Sequence, residues 1–330
     1  MRVNIFLRKP FKLGNFSVEI FYNEILNELK DKIDIKIIKV PFKNKGILPR
    51  LFNILFCYIN QGDINHIVGD ISYCSLLMDK RRLVITILDC ISLHRNTGFK
   101  KFLLKYLLFQ LPILKASRVI VISKATKNDL NAFLNINEVS YDIIPVTVSK
   151  SFYEFKPSLN FTSYNNNFLI IGTAHNKNIE RIALALEGIE CKLRVIGKLN
   201  FSQKSQLISS KINFKEIDKP LSENEVIDIY KKSNLLLFCS ELEGFGMPII
   251  EANLLGINVL TSNISSMPFV ASDSAIYVDP LSVTSIKNGV TKFIDDLDLR
   301  GKLRKNGYKN ADRFLINSIA DKHLKLYKSI

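Results

Sequence analysis

Residues 234–254 constrain the chain most. Asn234-Leu-Leu-Leu-Phe-Cys239 is an apolar run of strand length, and it leads into Ser240-Glu-Leu-Glu243-Gly244-Phe245-Gly246-Met247-Pro248-Ile-Ile-Glu251-Ala-Asn-Leu254. A short apolar run bounded by turn residues reads as a buried strand. Pro248 suits the first turn of a helix, where its missing N–H costs nothing. Two glycines between strand and helix let the backbone approach a ligand closely, and the N–H groups of a helix start favour anions. The stretch therefore reads as strand, glycine loop and helix, with one carboxylate on each side of an anion-binding turn. Glu243 stands at the strand end, where open parallel sheets bind ligands. Glu251 lies about one turn beyond Pro248, where a carboxylate can accept two hydrogen bonds from a vicinal diol such as a ribose. The bland alternative is a tight turn followed by acids that favour a helix N-terminus. The coincidence of two glycines, a proline and both acids at one strand end favours a site.

The run Glu243-Gly-Phe-Gly-Met-Pro-Ile-Ile-Glu251 resembles the E-x7-E signature of the retaining glycosyltransferases of family 4. That resemblance implies an α/β fold of GT-B type: two facing Rossmann-like domains, a central cleft and a C-terminal helix that crosses back. It implies that Glu243 is catalytic and contacts hydroxyls of the donor sugar, while Glu251 holds the nucleotide ribose. Gly244, Phe245, Gly246, Met247 and Pro248 would offer backbone amides to the sugar and diphosphate. The donor implied is a UDP- or GDP-linked sugar, with no metal or other cofactor required. The chemistry implied is sugar transfer to an acceptor hydroxyl with retention, the leaving phosphate taking the acceptor proton.

The rest of the chain fits two domains joined by a linker. Val3–Leu7, 33–40, 63–70, 83–88 and 118–123 read as strands alternating with helices, which implies right-handed crossovers and a parallel sheet over residues 1–150. Gly14 and Asn15, between the first strand and helix, and Asp89 and His94, after the fourth strand, are candidates for the acceptor or cleft side. The resembling family commonly has His-Asp where this chain has Leu88-Asp89, so His94 or His66 would have to substitute. Residues 100–115 read as a helix whose apolar face, with Phe102, Leu103, Tyr106, Leu107 and Phe109, packs on the core; a membrane-surface role is the alternative.

A second nucleotide-binding domain is expected over 151–314, with residues 315–330 as a helix packing back on the first. Phe168-Leu-Ile-Ile-Gly172-Thr-Ala-His175-Asn176-Lys177-Asn178 again reads as strand, glycine and helix start. It is similar to the family's G-x-x-x-x-K-N segment, which implies that Lys177 neutralises the donor diphosphate. Asn176 stands where many members have arginine, and His175 or Arg181 is a candidate to offset that loss. Lys198, after Gly197 at the next strand end, is a further candidate phosphate contact. Thr261 to Ser266 offer hydroxyls to the same crevice. Asp296-Leu-Asp298 mimics a metal motif but falls at a helix junction, and no His or Cys cluster has metal spacing.

Charge is uneven. Residues 1–150 carry 23 Lys and Arg against 12 Asp and Glu, whereas residues 151–300 carry 15 against 17. A basic first half can meet anionic lipid headgroups or a lipid diphosphate acceptor, or it is a lysine-rich solvated surface. No run reaches the length of a membrane span, and five scattered cysteines show no pairing rhythm. The protein is expected in the cytoplasm or peripheral on the inner face of the plasma membrane, acting in surface polysaccharide or lipid-linked oligosaccharide assembly on a saccharide or lipid-linked saccharide. A related GT-B epimerase or glucan synthase, and a non-catalytic basic binding protein, are the alternatives. Nucleic acid is not an expected partner, since no nucleic-acid motif accompanies the charge.

Overall fold

In the computed structural model, which describes residues 1–9, 17–44, 46–134, 139–155 and 165–330, alternating strands and helices build two parallel six-stranded sheets. Each sheet belongs to its own unit: Met1–Thr147 with Leu315–Ile330, and Val148–Phe314. Gly14 and Asn15 lie outside the described residues.

The first unit contains β1 (Arg2–Leu7), α1 (Ser17–Leu29), β2 (Asp34–Lys39), α2 (Ile47–Ile59) and β3 (Ile64–Val68). A 3-10 segment, Gly69–Leu77, follows, then β4 (Leu83–Ile87), α3 (Ile91–Arg95), α4 (Gly98–Leu104), a π-helical stretch Lys105–Gln110, α5 (Leu111–Lys115), β5 (Arg118–Val121), α6 (Lys124–Leu134) and β6 (Tyr141–Ile143). The sheet order is β2-β1-β3-β4-β5-β6. Its inner strands are buried at nearly every position because helices cover both faces, as in β4, where all five residues are buried.

The second unit contains α7 (Lys150–Tyr153), β7 (Asn167–Ile171), α8 (Ile179–Leu186), β8 (Lys192–Ile196), α9 (Phe201–Ser209), β9 (Asn213–Ile217) and α10 (Glu223–Lys231). Then come β10 (Leu235–Phe238), α11 (Met247–Leu254), β11 (Asn258–Ser262), α12 (Met267–Ala271), β12 (Ala275–Val278), α13 (Val283–Asp295) and α14 (Leu297–Ala311). The order β12-β11-β10-β7-β8-β9 puts β10 beside β7, so the loops after these two strands emerge next to each other. Ser222 and Glu225 form the capping box of α10. Asp296 caps α14 by accepting from the Leu299 amide at 2.8 Å, so the apparent D-x-D is a helix junction.

The final helix, α15 (Ile316–Lys328), packs on α1 within the first unit. It closes a polar cluster inside the core. His66, fully buried on β3, has Nδ1 2.7 Å from the Tyr327 hydroxyl and Nε2 2.7 Å from Thr86 Oγ1. His66 is therefore a core residue and does not stand in for the missing family histidine. Burial, with His323 nearby, holds its pKa well below the usual histidine value. Burial also lowers His323, to about 4.

The segment 98–115 departs from the expected core helix. Phe109 is buried, but Phe102, Leu103 and Tyr106 are exposed, because a single inner stripe is enough to cover the sheet.

A pH dependence follows from the two buried histidines. The unfolded chain protonates them below the ordinary value of 6.5 while the folded chain resists, so stability falls as pH drops from about 6.5 toward 4. Each histidine is expected to add up to about 1.4 kcal/mol per pH unit to that slope. Denaturant unfolding at stepped pH should show the slope, and His66→Gln should flatten it; an unchanged slope would refute the assignment.

Candidate functional site in the second unit

The loops after β7 and β10 converge at the carboxyl end of the sheet. β7 ends at Gly172, whose φ of 85° is a conformation that glycine adopts without strain. A Cβ there would stand 3.0 Å from Lys177 Cε, so the glycine also leaves room for the lysine stem. The chain then makes a 3-10 turn, His175–Lys177, and enters α8 through Asn178 in the left-handed region, which asparagine tolerates. Asn178 Nδ2 donates to the Cys239 carbonyl at 3.2 Å and the Pro280 carbonyl at 2.6 Å, tying the start of α8 to the end of β10.

Lys177 Nζ lies 2.6 Å from Glu243 Oε1, and the two side chains are only 17% and 14% exposed. The ammonium also sits 4.5 Å from the centre of the Phe238 ring, a favourable place for a cation. Asn176 donates from Nδ2 to the Leu242 carbonyl at 2.9 Å and to Glu243 Oε1 at 3.2 Å. The asparagine thus positions Glu243 rather than adding a cation. Arg181 is occupied by Glu241, a contact that leaves Lys177 as the cation facing Glu243.

The loop between the two acids is braced from below. Ser265 Oγ donates to the Glu243 carbonyl at 2.8 Å and accepts from the Glu243 amide at 3.2 Å, and Ser266 Oγ donates to the Glu243 carbonyl at 3.0 Å. Thr261 and Ser262 donate to the Phe238 and Ser240 carbonyls at 2.9 and 2.6 Å. These hydroxyls, expected to face the crevice, instead bond the backbone that carries Glu243. Phe245 is buried, with its ring edge-on to Phe314. Gly246, at φ 117°, turns the chain into α11, with Met247 and Pro248 in the first turn.

Glu251 sits one turn into α11 and accepts a hydrogen bond of 2.6 Å from the Tyr230 hydroxyl. Burial raises its pKa to about 7 and nearby Glu223 adds to the rise, while the Tyr230 hydrogen bond and Lys177 oppose it. Two carboxylates on one loop and helix therefore differ in setting: Glu243 is paired with a lysine, and Glu251 is desolvated and held by a phenol.

The structure brings Gly172, Lys177, Glu243, the 244–248 loop and Glu251 to one end of the sheet. Lys198 is different: it is 79% exposed, with Asp218 at 4.0 Å. The sequence does not reveal Tyr230 as the partner of Glu251 or the tie that Asn178 makes to β10, and serines 265 and 266 brace the loop where a ligand-facing role is expected of them.

In the first unit a cavity of about 300 Å³ opens at the carboxyl ends of β1, β3 and β4, lined by Arg8, Glu19, Asp70 and Asp89 among others. Arg8 Nε lies 3.6 Å from Glu19 Oε1, and its Nη1 lies 3.9 Å from Asp70 Oδ2. Asp89 accepts from the Ile91 amide at 3.0 Å. His94 points elsewhere, with Nε2 3.0 Å from Asp129 and its ring against Phe133. No group of three or more His, Cys, Asp or Glu placed to hold a metal ion occurs among the described residues.

The chain is similar to known proteins in sequence and in fold. Residues 152–310 match the model of the family described as Glycosyl transferases group 1. The O-antigen chain mannosyltransferase B of Escherichia coli is 29% identical over 100 residues, 30% of this chain, which spans 26% of that protein. The capsular polysaccharide biosynthesis glycosyltransferase CapM of Staphylococcus aureus is 24% identical over 74% of this chain and 69% of its own length. Among solved structures, a sucrose-phosphate synthase from Thermosynechococcus elongatus superposes with a TM-score of 0.81 at 14% identity, covering 99% of this chain and 98% of its own. Anabaena HepE, solved with UDP and glucose, gives 0.77 at 15% identity over 100% of both chains. The chain thus has the GT-B fold, and its residues 152–310 are similar to the glycosyl transferases group 1 family.

Proposed function

We propose that the chain is a retaining glycosyltransferase that moves a hexose from a UDP- or GDP-linked donor to an acceptor hydroxyl, in surface polysaccharide or lipid-linked oligosaccharide assembly at the inner face of a membrane. The carrying observation is the convergence of Lys177, Glu243 and Glu251 at the ends of β7 and β10, across a loop that ends in a helix start. The names of the polysaccharide-related relatives and the UDP-bound neighbour support the substrate class.

Transfer breaks the bond between the anomeric carbon and a phosphate oxygen, and the electron pair leaves with the diphosphate. Stabilising that charge is the main demand on the site. Lys177 and the backbone amides of 244–247 would meet the diphosphate, and Glu251 would accept from the ribose hydroxyls. Glu243 would accept from hydroxyls of the donor sugar and fix the ring against the attacking oxygen. The acceptor oxygen forms the new bond on the face from which the phosphate departs, and a phosphate oxygen takes its proton, so no protein base is required. The Lys177–Glu243 pair gives this assignment a physical basis: a diphosphate competes for the ammonium and frees the carboxylate for sugar hydroxyls. Asp89, with Arg8 and Glu19 at the cavity of the first unit, lies on the side proposed for the acceptor.

The two acids should separate by measurement. Lys177→Ala is expected to weaken UDP or GDP binding by roughly tenfold to a hundredfold in calorimetry, the loss of a charged contact. Glu243→Ala should cut kcat roughly a hundredfold or more while leaving nucleotide affinity the same or tighter, since it frees Lys177. Absence of saturable binding to any nucleoside diphosphate would remove the proposal, and equal losses of binding in both variants would contradict the roles.

The pH dependence gives a second test with two opposite signs. Ribose hydroxyls need the ionised Glu251, so affinity should rise with pH, by roughly tenfold per unit, until about pH 7. The Glu251 contribution to stability runs the other way and opposes that of the two buried histidines: between the ordinary 4.5 and about 7 the folded chain keeps a proton on Glu251 that the unfolded chain has lost, so this contribution declines across that window. Glu251→Gln should abolish the slope in affinity and remove the Glu251 contribution to stability, leaving the slope of the histidines, and Tyr230→Phe should move both Glu251 midpoints upward. A pH-independent affinity in the wild type would exclude Glu251 from ribose binding.

A further inference from the structure

Helix α2 is apolar on the side that faces the core and apolar on the side that does not. Inward, Cys57 is buried, and buried Asn53 anchors the helix through the Phe42 backbone and the Tyr73 hydroxyl, with bonds of 3.0 to 3.1 Å. Outward, Ile47, Leu48, Leu51, Phe52, Leu55 and Ile59 are between 48% and 78% exposed, at the three- and four-residue spacing of one helix face. A helix with no polar face is ordinarily buried, and scattered exposed leucines are normal where a contiguous stripe is not. Tyr58, 49% exposed, adds a ring with a polar tip to the same face.

The stripe has a neighbour. Both α2 and the run from the π-helical stretch to α5 pack on the 3-10 segment 69–77, so they cover one face of the first sheet. From α4 into the start of that run, Phe99, Phe102 and Tyr106 are exposed and stack in series, with centroids 6.4 and 6.0 Å apart. An exposed aromatic ladder and an exposed aliphatic stripe in one unit match the composition of the bilayer interface, where amphipathic rings sit at headgroup depth.

Charge selects the occupant. Residues 35–62 hold four lysines and one arginine without any acid, and residues 90–128 hold eight Lys and Arg, again without any acid. A second copy of this face would bring like charge against like charge. Anionic headgroups would be neutralised by it, and the apolar stripe would enter the acyl boundary. No helix among the described residues is long and apolar enough to cross a membrane, so the contact is one of lying on the surface.

We infer that the outer face of α2, together with the aromatic ladder Phe99–Phe102–Tyr106, is a docking surface for an anionic lipid bilayer. The inference deepens the proposed membrane location but does not depend on the donor-site assignment, because lipid binding requires no turnover.

The test is flotation of the full chain with phosphatidylcholine vesicles, with and without phosphatidylglycerol. Binding is expected chiefly to the anionic vesicles and should weaken with salt. Leu48→Glu with Phe52→Glu should lower it by about tenfold or more, and Lys100→Glu by roughly fivefold. Phe201→Glu, at an exposed ring in the second unit, should leave it unchanged. Nucleoside diphosphate titration of each variant checks that it is folded, and a chain that floats without binding any nucleotide would sink the donor site alone. The inference is overturned if the wild type ignores both vesicle types, if the α2 variant floats like the wild type, or if the variant splits a wild-type dimer while no lipid binding is seen. Capture only by an acidic protein, with no vesicle binding, would also overturn it.

Discussion

The site rests on an ion pair that joins two loops far apart in sequence. Lys177 follows β7 and Glu243 follows β10, and the 2.6 Å contact between them holds only because β7 and β10 are neighbours in the sheet. A largely buried pair of this kind does little for stability, since desolvation offsets much of the attraction. Its effect is positional. Gly172 makes room for the lysine stem, Phe238 sits under the ammonium, Asn176 holds the carboxylate, and the serines after β11 fix the Glu243 backbone. Removing either charge would strand the other in a site with little water, which is why the surroundings are so fully hydrogen-bonded.

Local chemistry made much of this legible before any coordinates. Strand, glycine and helix start recur after β7 and β10 because the same backbone problem recurs, and Pro248, Gly246 and Gly172 mark its solution in the chain. The Ser222–Glu225 box and the Asp296 cap are equally local, closing within three residues. What stayed hidden depends on partners that sequence distance conceals. Tyr230 reaches Glu251 across 21 residues, and Ser265 reaches Glu243 across 22. A tyrosine in an amphipathic helix carries no mark that its hydroxyl will meet a carboxylate. The hydroxyls of 261–266 read as ligand-facing because their location at a strand end is visible in the sequence, whereas the loop backbone that accepts from them is not.

The same limit applies to the helix expected over residues 100–115 and to α2. Periodicity shows that a helix has an apolar face, but not how many apolar faces its neighbours can cover. In α2 the inner stripe already meets the sheet, and the remaining apolar side chains exceed what one layer can bury. In 98–115 the π-helical turn places Phe109 inward while Phe102 and Tyr106 stay outside.

The division of charge gives the two units different electrostatic tasks. Residues 151–300, with 15 basic against 17 acidic side chains, present no net field that could draw a diphosphate from a distance. Anion binding there has to come from short-range devices: one lysine, backbone amides and a helix start, each acting within a few ångströms. Residues 1–150, with 23 against 12, have the reverse character, a broad excess suited to an extended anionic surface rather than to one small ligand. Salt therefore bears unequally on the two tasks: a partly buried lysine beside the diphosphate is screened far less than lysines spread over an exposed face.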